Sequence, residues 1–484
     1  MDESKTFTDL GLSPWLVRQC DLLGNCLCVL QTIFLCHYAG MKCPTPIQKN
    51  CIPRILNGED CIGCAKTGSG KTLAFALPML NKLSEDPYGI FGLVLTPTRE
   101  LAYQIGDQFA VMGKTLNLRM SVIVGGMDMV VQGQELSRKP HIVVATPGRH
   151  VKLADHLESC DTFSLKKIKY LVLDEADRLL EGRFDHQLKT IFECIPEKRQ
   201  TLLFSATLSD SLDRVKAIAD EKVFIWSEPV EVATVDQLTQ SYVLCPPLVR
   251  DGYLVETIRT YRSQDEDGSI MIFTDTCKNC QLLSMTLNEV GFENVALHAM
   301  ERQRERLASL AKFKSNVVKI LIATDVASRG LDIPAVQLVL NHILPNSPKD
   351  YIHRVGRTAR AGRGGLAVSL ITPHDIKILQ AIEEAINLKL TEYKIDDKEV
   401  AKIVTQVSVT KREAEIKLDD TDFYEKKAIN KRKKLILEGK DPDEEEARLE
   451  AQKKMKRKLA KKKAKENAKK RKAIKSIQED DDSD

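Results

Sequence analysis

The stretch DCIGCAKTGSGKTLAFALPMLNKL (residues 60–83) joins a short apolar run, a glycine-rich loop and a helical pattern. In that order the three parts make an anion cradle, because bare backbone N–H groups and the positive helix end converge on phosphate oxygens. The pattern predicts that Lys71 neutralises β and γ phosphates and that the Thr72 hydroxyl ligates magnesium. Ala65 stands where the strict pattern has glycine, and Gly68 adds a glycine inside the loop. A flexible turn between two elements would use the same residues, so a second motif has to decide.

That motif is YLVLDEAD (residues 170–177), where Asp174 ends an apolar strand and Glu175 follows at once. Two adjacent carboxylates leaving a buried strand are costly unless a cation balances them. Magnesium for Asp174 and water activation for Glu175 is a physical reason for both. An acidic helix start would explain either carboxylate alone. The two motifs together, about a hundred residues apart, point to a nucleoside triphosphatase.

Outward from these motifs, the runs FGLVLTP, MSVIVGG, HIVVATP, KYLVLDEAD and QTLLFSAT are short, apolar and closed by polar or glycine turns. They read as strands of a parallel sheet buried on both faces, with ligands at their carboxyl ends. The same grammar returns in SIMIFTDT, NVALHAM, VKILIATDV, VQLVLNH and GLAVSLITP. The chain is therefore read as α/β, with two parallel-sheet domains at residues 1–228 and 241–395, a linker at 229–240, and a basic helical or disordered extension at 396–484. The second domain carries YIHRVGRTARAGR, in which Arg357 and Arg360 are three apart and share a face if helical. Such arginines, reaching a γ phosphate across an interdomain cleft, would stabilise transition-state charge only on closure. ATDVASRGLD, ending in Asp332, likewise closes an apolar strand with residues suited to phosphate and ribose.

The chain has 484 residues, 43% of them apolar, which supports two cores. Its net charge of +4 is unevenly spread: residues 451–475 hold fourteen Lys or Arg against one Glu, and the last residues, EDDDSD, carry −5, which leaves residues 1–450 at about −4. Nonspecific attraction to polyanions should therefore live in the tail. Thirteen cysteines without a leader pattern fit reduced thiols in a cytosolic or nuclear compartment.

The motifs PTPIQ, AKTGSGKT, PTREL, GG, TPGR, DEAD, SAT, IFTDT, ATDVASRGLD and HRVGRTAR stand in family order, and across residues 7–373 the chain resembles the DEAD-box ATP-dependent RNA helicases. The resemblance implies two RecA-like domains that close on ATP, magnesium and single-stranded RNA together. It assigns Gln48 to the adenine edge, Phe7 to packing on the base, and residues Ala65, Lys66, Thr67, Gly68, Ser69, Gly70, Lys71 and Thr72 to the phosphates and metal. It assigns Asp174 to the metal, Glu175 to general-base work, Asp332 to the ribose, and Arg357 and Arg360 to the γ phosphate. Ser205 and Thr207 would couple the ATP site to strand separation, and His353 would lock the closed interdomain network. RNA contacts are implied for Pro97, Thr98, Arg99, Gly125, Gly126, Thr146, Gly148 and Arg149, and for Thr274, Gln303, Arg306 and Thr324. Such contacts grip phosphates and 2′-hydroxyls without reading sequence.

Activity is expected as RNA-stimulated ATPase with local, non-processive unwinding; an ATP-gated RNA clamp or scaffold is the alternative. SLAKFKS, GGMDMV and the charged extension further resemble the family's nucleolar subgroup that acts in small-subunit ribosomal RNA maturation. This implies pre-ribosomal RNA as partner, a protein cofactor of ribosome assembly, a nuclear and nucleolar location, no membrane, and a monomer.

Two segments depart from the family pattern, residues 150–152 after TPGR and residues 25–40 before PTPIQ. The second is sulfur-rich and apolar, but its core is shorter than the roughly 20 residues of a membrane span. Neither the cysteines and histidine there nor the C-x-x-C pairs Cys61/Cys64 and Cys277/Cys280 have a standard zinc spacing. Removing residues 25–40 leaves DLLGMKCPTPIQ, a normal join, and the segment has codon possibilities for intron-like ends. We read it as a translated short intron.

Overall fold

Runs such as IVVA and YLVL have no polar face, so they form strands only where both sides are covered. The computed structural model describes residues 6–25, 43–65, 68–147, 163–180, 182, 184–205, 223–228, 238–325, 333, 336–359, 364–437, 441–445, 447–448 and 455. Two sheets of seven parallel strands appear among them. In the first lobe these are β1 (Cys61–Cys64), β2 (Gly92–Leu95), β3 (Met120–Ile123), β4 (Ile142–Ala145), β5 (Tyr170–Asp174), β6 (Gln200–Ser205) and β7 (Phe224–Ser227). Their spatial order is β3-β4-β2-β5-β6-β1-β7. The helices of this lobe are α1 (Pro14–Asn25), α2 (Pro46–Leu56), α3 (Lys71–Leu83), α4 (Arg99–Met112), α5 (Met129–Ser137), α6 (Ala176–Leu179) and α7 (Asp185–Cys194).

Alternate strand residues enter opposite layers. Val94, Val144, Val172 and Leu202 join Leu16, Ile47, Phe75 and Phe109 under α1 to α4. Leu93, Leu95, Leu171, Leu173 and Leu203 join Leu179, Leu188 and Ile191 under α6 and α7. Cys61 and Cys64 are buried strand thiols. Among the described residues no three His, Cys, Asp or Glu side chains group as a metal site, and no helix is long and apolar enough to cross a membrane.

The second lobe repeats the plan with β8 (Leu238–Leu244), β9 (Ile270–Thr274), β10 (Val295–Leu297), β11 (Ile320–Thr324), β12 (Leu338–Asn341), β13 (Gly365–Ile371) and β14 (Thr391–Glu392), ordered β10-β11-β9-β12-β13-β8-β14. Its helices are α8 (Arg250–Gln264), α9 (Cys277–Glu289), α10 (Gln303–Lys314), α11 (Pro348–Val355), α12 (Ile376–Ile386) and α13 (Asp397–Asp419).

Both expected boundaries of this lobe move outward. Residues 238–240, read as linker, are the first rungs of β8, paired with β13 from Leu238↔Gly365 onward. Residues beyond 395, read as an appendage, include Ile403 and Val407 of α13, which are core members of the lobe. Helix α13 comes close because Gly252 is bare: a Cβ there would lie 2.8 Å from Val404 Cγ2. A polar clamp adds to this packing. The Asp251 carboxylate takes His342 Nε2 at 2.8 Å and Lys411 Nζ at 2.6 Å. The second unit of the chain, residues 415–484, contains α14 (Phe423–Leu437).

Burial alone would raise the Asp251 carboxyl, but hydrogen bonds and charge from His342 and Lys411 outweigh it and hold the group well below the ordinary carboxylate range. A depressed acid contributes stability above its unfolded pKa, and that contribution is lost as pH falls through the folded value. Asp251→Asn should therefore cost about 1.5–3 kcal/mol of second-lobe stability at pH 7. In denaturant melts the gap from wild type should close progressively below about pH 4, near the unfolded carboxyl pKa.

Candidate active site

Strand β1 ends at Cys64, and the Ala65 N–H continues the ladder by donating to Ser205 O at 3.1 Å. The chain then turns through Gly68 and Gly70, at φ +86° and +87°, before α3 starts at Lys71. Positive φ at both positions favours residues without a Cβ. Gly70 has a second reason to be bare, since a Cβ would stand 2.3 Å from Gln48 Nε2. That amide donates to Gly70 O at 3.1 Å, while Gln48 Oε1 accepts from the Thr45 N–H at 3.0 Å, at the start of α2. Gln48 is thus a strut between α2 and the phosphate loop. Each of its polar atoms keeps capacity for one more bond. Phe7 is 2% exposed and packs in the first core cluster with Ile47 and Ile55.

Lys71 Nζ donates to Ala65 O at 2.6 Å. Burial pushes its ammonium below the ordinary lysine range, opposed by the charges of Asp174, Glu175 and Asp177. Asp174, at the end of β5, is pushed up to about 7 by burial, with Lys71 pulling the other way. Glu175 is also raised by burial, and Arg178, Lys71 and Arg357 oppose the rise. Its backbone lies at φ +52°, ψ +50°. A left-handed glutamate stores about 1 kcal/mol or more of strain, which turns the chain from β5 into α6. Glu175 Oε2 is buried and finds no hydrogen-bond partner among the described residues; Arg178 Nε is 3.9 Å away. The buried Ser69 hydroxyl of the loop is in the same condition. These orphaned groups, the positive-φ glycines and the buried ammonium gather at one end of the sheet, and because the carboxylates outnumber the ammonium, a phosphate chain here calls for an accompanying cation.

The other half of the first sheet carries the candidate RNA groups. The carboxyl ends of β2, β3 and β4 bring together Pro97, Thr98, Arg99, Gly125, Gly126 and Thr146. Arg99 lies against Gly126, where a Cβ would meet its Nη1 at 2.5 Å. The buried hydroxyls of Thr98 and Thr146 have no hydrogen-bond partner among the described residues. Burial first, then the nearby Arg306 of the second lobe, lower the Arg99 guanidinium from its usual range. The charge of the neighbouring Glu100 opposes this drop. Thr274 and Thr324 end β9 and β11, which are neighbours in register.

Gln303 and Arg306, expected to touch RNA, have a more defined part in this structure. Gln303 Nε2 donates to Glu100 Oε1 at 2.9 Å, and Arg306 Nη2 meets the same oxygen at 2.9 Å. The Glu100 side chain is 2% exposed, so α4 of one lobe and α10 of the other share a buried charge contact. Arg357 is 3% exposed and near enough to influence Glu175. Behind it Arg354 grips Asp325 with Nε and Nη2 at 2.6 and 2.7 Å, and donates to Ile343 O at 2.6 Å. His353 lies one residue earlier on α11. Lys66, Thr67, Gly148, Arg149, Thr207, Asp332 and Arg360 lie outside the described residues, as do residues 26–40 and 150–152 of the two departures.

Residues 45–215 match the DEAD/DEAH box helicase family model, and residues 252–362 match the helicase conserved C-terminal domain. A human protein named probable ATP-dependent RNA helicase DDX49 is 59% identical over 445 residues, 91% of this chain and 88% of its own. This chain belongs to the DEAD-box ATP-dependent RNA helicases. Within the family it groups with DDX49; a Drosophila melanogaster relative, probable ATP-dependent RNA helicase Dbp45A, is 54% identical over 92% of this chain and 82% of its own. Among solved structures, Mss116p bound to single-stranded RNA and AMP-PNP superposes with a TM-score of 0.73 at 29% identity, covering 84% of this helicase and 83% of that chain. S. cerevisiae Dbp5 bound to RNA and ADP BeF3 gives 0.70 at 30% identity, over 84% and 100% of the two chains.

Glu100 carries no local signal within PTREL, because its partners are 203 and 206 residues away. The role of Arg354 is equally silent in the sequence, because Asp325 and Ile343 come from other segments. Glu100→Ala should lower RNA-stimulated turnover at limiting RNA by about tenfold or more, the size of one lost charged hydrogen bond, and leave ADP affinity measured without RNA unchanged.

Proposed function

We propose that this RNA-stimulated ATPase hydrolyses ATP between Lys71, Asp174 and Glu175 on the first lobe and Arg357 on the second. The observation that carries the reading is the buried set of one ammonium and two carboxylates beside the glycine loop, within the influence of an arginine from the opposite lobe. Gln48 reads the adenine edge with Phe7 behind it, and Gly68, Ser69 and Gly70 cradle the phosphates. Thr72 and Asp174 would hold magnesium, a hard cation that asks for few protein oxygens and takes the rest from phosphate and water. The fit rests on Asp174, whose carboxyl burial pushes up to about 7 despite Lys71, so a further cation beside it favours the ionised form. When bound, magnesium neutralises charge on the phosphates.

Glu175, whose buried Oε2 has no hydrogen-bond partner among the described residues, orients and deprotonates the attacking water. Arg357, fixed behind by the Arg354 grip on Asp325, meets the developing charge only when the lobes are together. Arg99, Thr98, Thr146, Thr274 and Thr324 hold the phosphates and 2′-hydroxyls of a single strand. Glu100 joins the RNA side of both lobes through Gln303 and Arg306, so RNA and ATP each favour the arrangement the other needs. A duplex strand that does not fit the closed surface is released, which gives local unwinding.

We further propose structured pre-ribosomal RNA as substrate, with a nuclear and nucleolar location. The support is the likeness to DDX49 and the charge of residues 451–475, which hold fourteen Lys or Arg against one Glu. Lys71→Ala and Glu175→Gln should each cut RNA-stimulated phosphate release by about a hundredfold or more, in the range of lost charge stabilisation or general-base catalysis, and abolish separation of a short duplex. If phosphate release is RNA-stimulated yet the wild type separates no duplex, a clamp replaces the unwinding reading. Crosslinking to cellular RNA tests the substrate: enrichment of pre-ribosomal fragments is expected, and enrichment of messenger RNA alone contradicts it.

A further inference from the structure

The nucleotide side of the cleft contains a second charge contact between the lobes. Lys349 Nζ, from α11, stands 3.6 Å from Oδ2 of Asp177, from α6. The Asp177 side chain is 5% exposed, and the Lys349 side chain is 39% exposed. Neither belongs to the roles assigned above. Asp177 follows Glu175 by two residues within the same short turn, and its charge acts on Lys71, Asp174 and Glu175. Lys349 occupies the second position of α11, just after Pro348. Four residues on, and so on the same helical face, is His353. The same helix ends at Val355, two residues before Arg357.

We propose that Lys349 is a positioning residue for ATP hydrolysis: its ion pair with Asp177 docks the start of α11 on the catalytic turn and so sets where Arg357 arrives. The geometry argues for this in three ways. The pair crosses the lobes, so it forms only when they meet. It involves a nearly buried carboxylate, where attraction is less screened than at a free surface. The helix it fixes is short and stiffened at its far end, where Arg354 takes Asp325, Asn341 and Ile343. Holding the near end leaves Arg357 little angular freedom relative to Glu175. Glu100 with Gln303 and Arg306 joins the lobes on the RNA side, and Lys349 with Asp177 joins them on the nucleotide side.

The inference rests on the assignment of Glu175 and Arg357 to hydrolysis, and the full-length chain can separate the two. Lys349→Ala should lower the RNA-stimulated kcat and weaken the gain in affinity for a fluorescent single-stranded RNA on adding AMP-PNP, each by about fivefold, the effect of one partly screened ion pair. ADP affinity without RNA and the melting temperature should stay at wild-type values. Lys349→Arg should restore both quantities, and Lys349→Glu should reduce them further. Wild-type kcat and AMP-PNP response in Lys349→Ala and Lys349→Glu would overturn the proposal. So would a loss that Lys349→Arg does not recover, or one that follows a fall in melting temperature. Full turnover by Glu175→Gln would instead overturn the underlying site assignment, whatever Lys349 does.

Discussion

One buried ammonium facing two buried carboxylates, Lys71 with Asp174 and Glu175, is the constraint on which the rest of the first lobe depends. Burial works against the charged form of every member, and their mutual attraction offsets only part of it. Such a cluster persists when the surrounding structure fixes it in place. The fixing comes from strands β1 and β5, which bring the loop and the carboxylates out at the same end of a parallel sheet with β6 between them. It also comes from Gln48, which holds the loop at Gly70, and from a left-handed Glu175, which turns the chain sharply out of β5. A site with this much unspent charge is built to receive a polyvalent ligand.

Strand order then divides the labour. In the first sheet β1, β6 and β5 lie on one side and β2, β4 and β3 on the other, so the groups proposed for nucleotide and for RNA leave different strands of one sheet. The second lobe answers with the same order of parts: Thr324 and Thr274 at the ends of β11 and β9, and the arginine-bearing α11 after β12. On the proposed reading, each ligand surface draws on both lobes. The buried Glu100 contact shows how a single carboxylate can serve both lobes at once.

Much of this was legible in the sequence, for a physical reason. Strands buried on both faces must be apolar throughout, so FGLVLTP, HIVVATP and KYLVLDEAD announced themselves, and polar residues at their carboxyl ends could only be ligands or turn formers. What failed to show were elements with weaker patterns. Strand β8, LTQSYVL, is half polar, with Gln240 Oε1 accepting from the Tyr351 hydroxyl and Ser241 paired with Thr391 across distant segments, so it reads as linker. Helix α13 read as an appendage because its apolar stripe, Val400, Ile403 and Val407, is narrow amid charged neighbours. Pairings between distant segments, Glu100 with Arg306, Asp251 with Lys411 and Asp177 with Lys349, leave no local trace at all.

The central claim is that ATP and RNA meet on one composite surface formed by both lobes. Its most direct test is reciprocity of binding in the wild-type chain: the affinity for a single-stranded RNA with and without saturating AMP-PNP, and for AMP-PNP with and without saturating RNA. Linkage requires the two ratios to be equal. The account predicts equal ratios well above one; ratios of one in both directions would mean that the ligands do not share a closed state, and would contradict it.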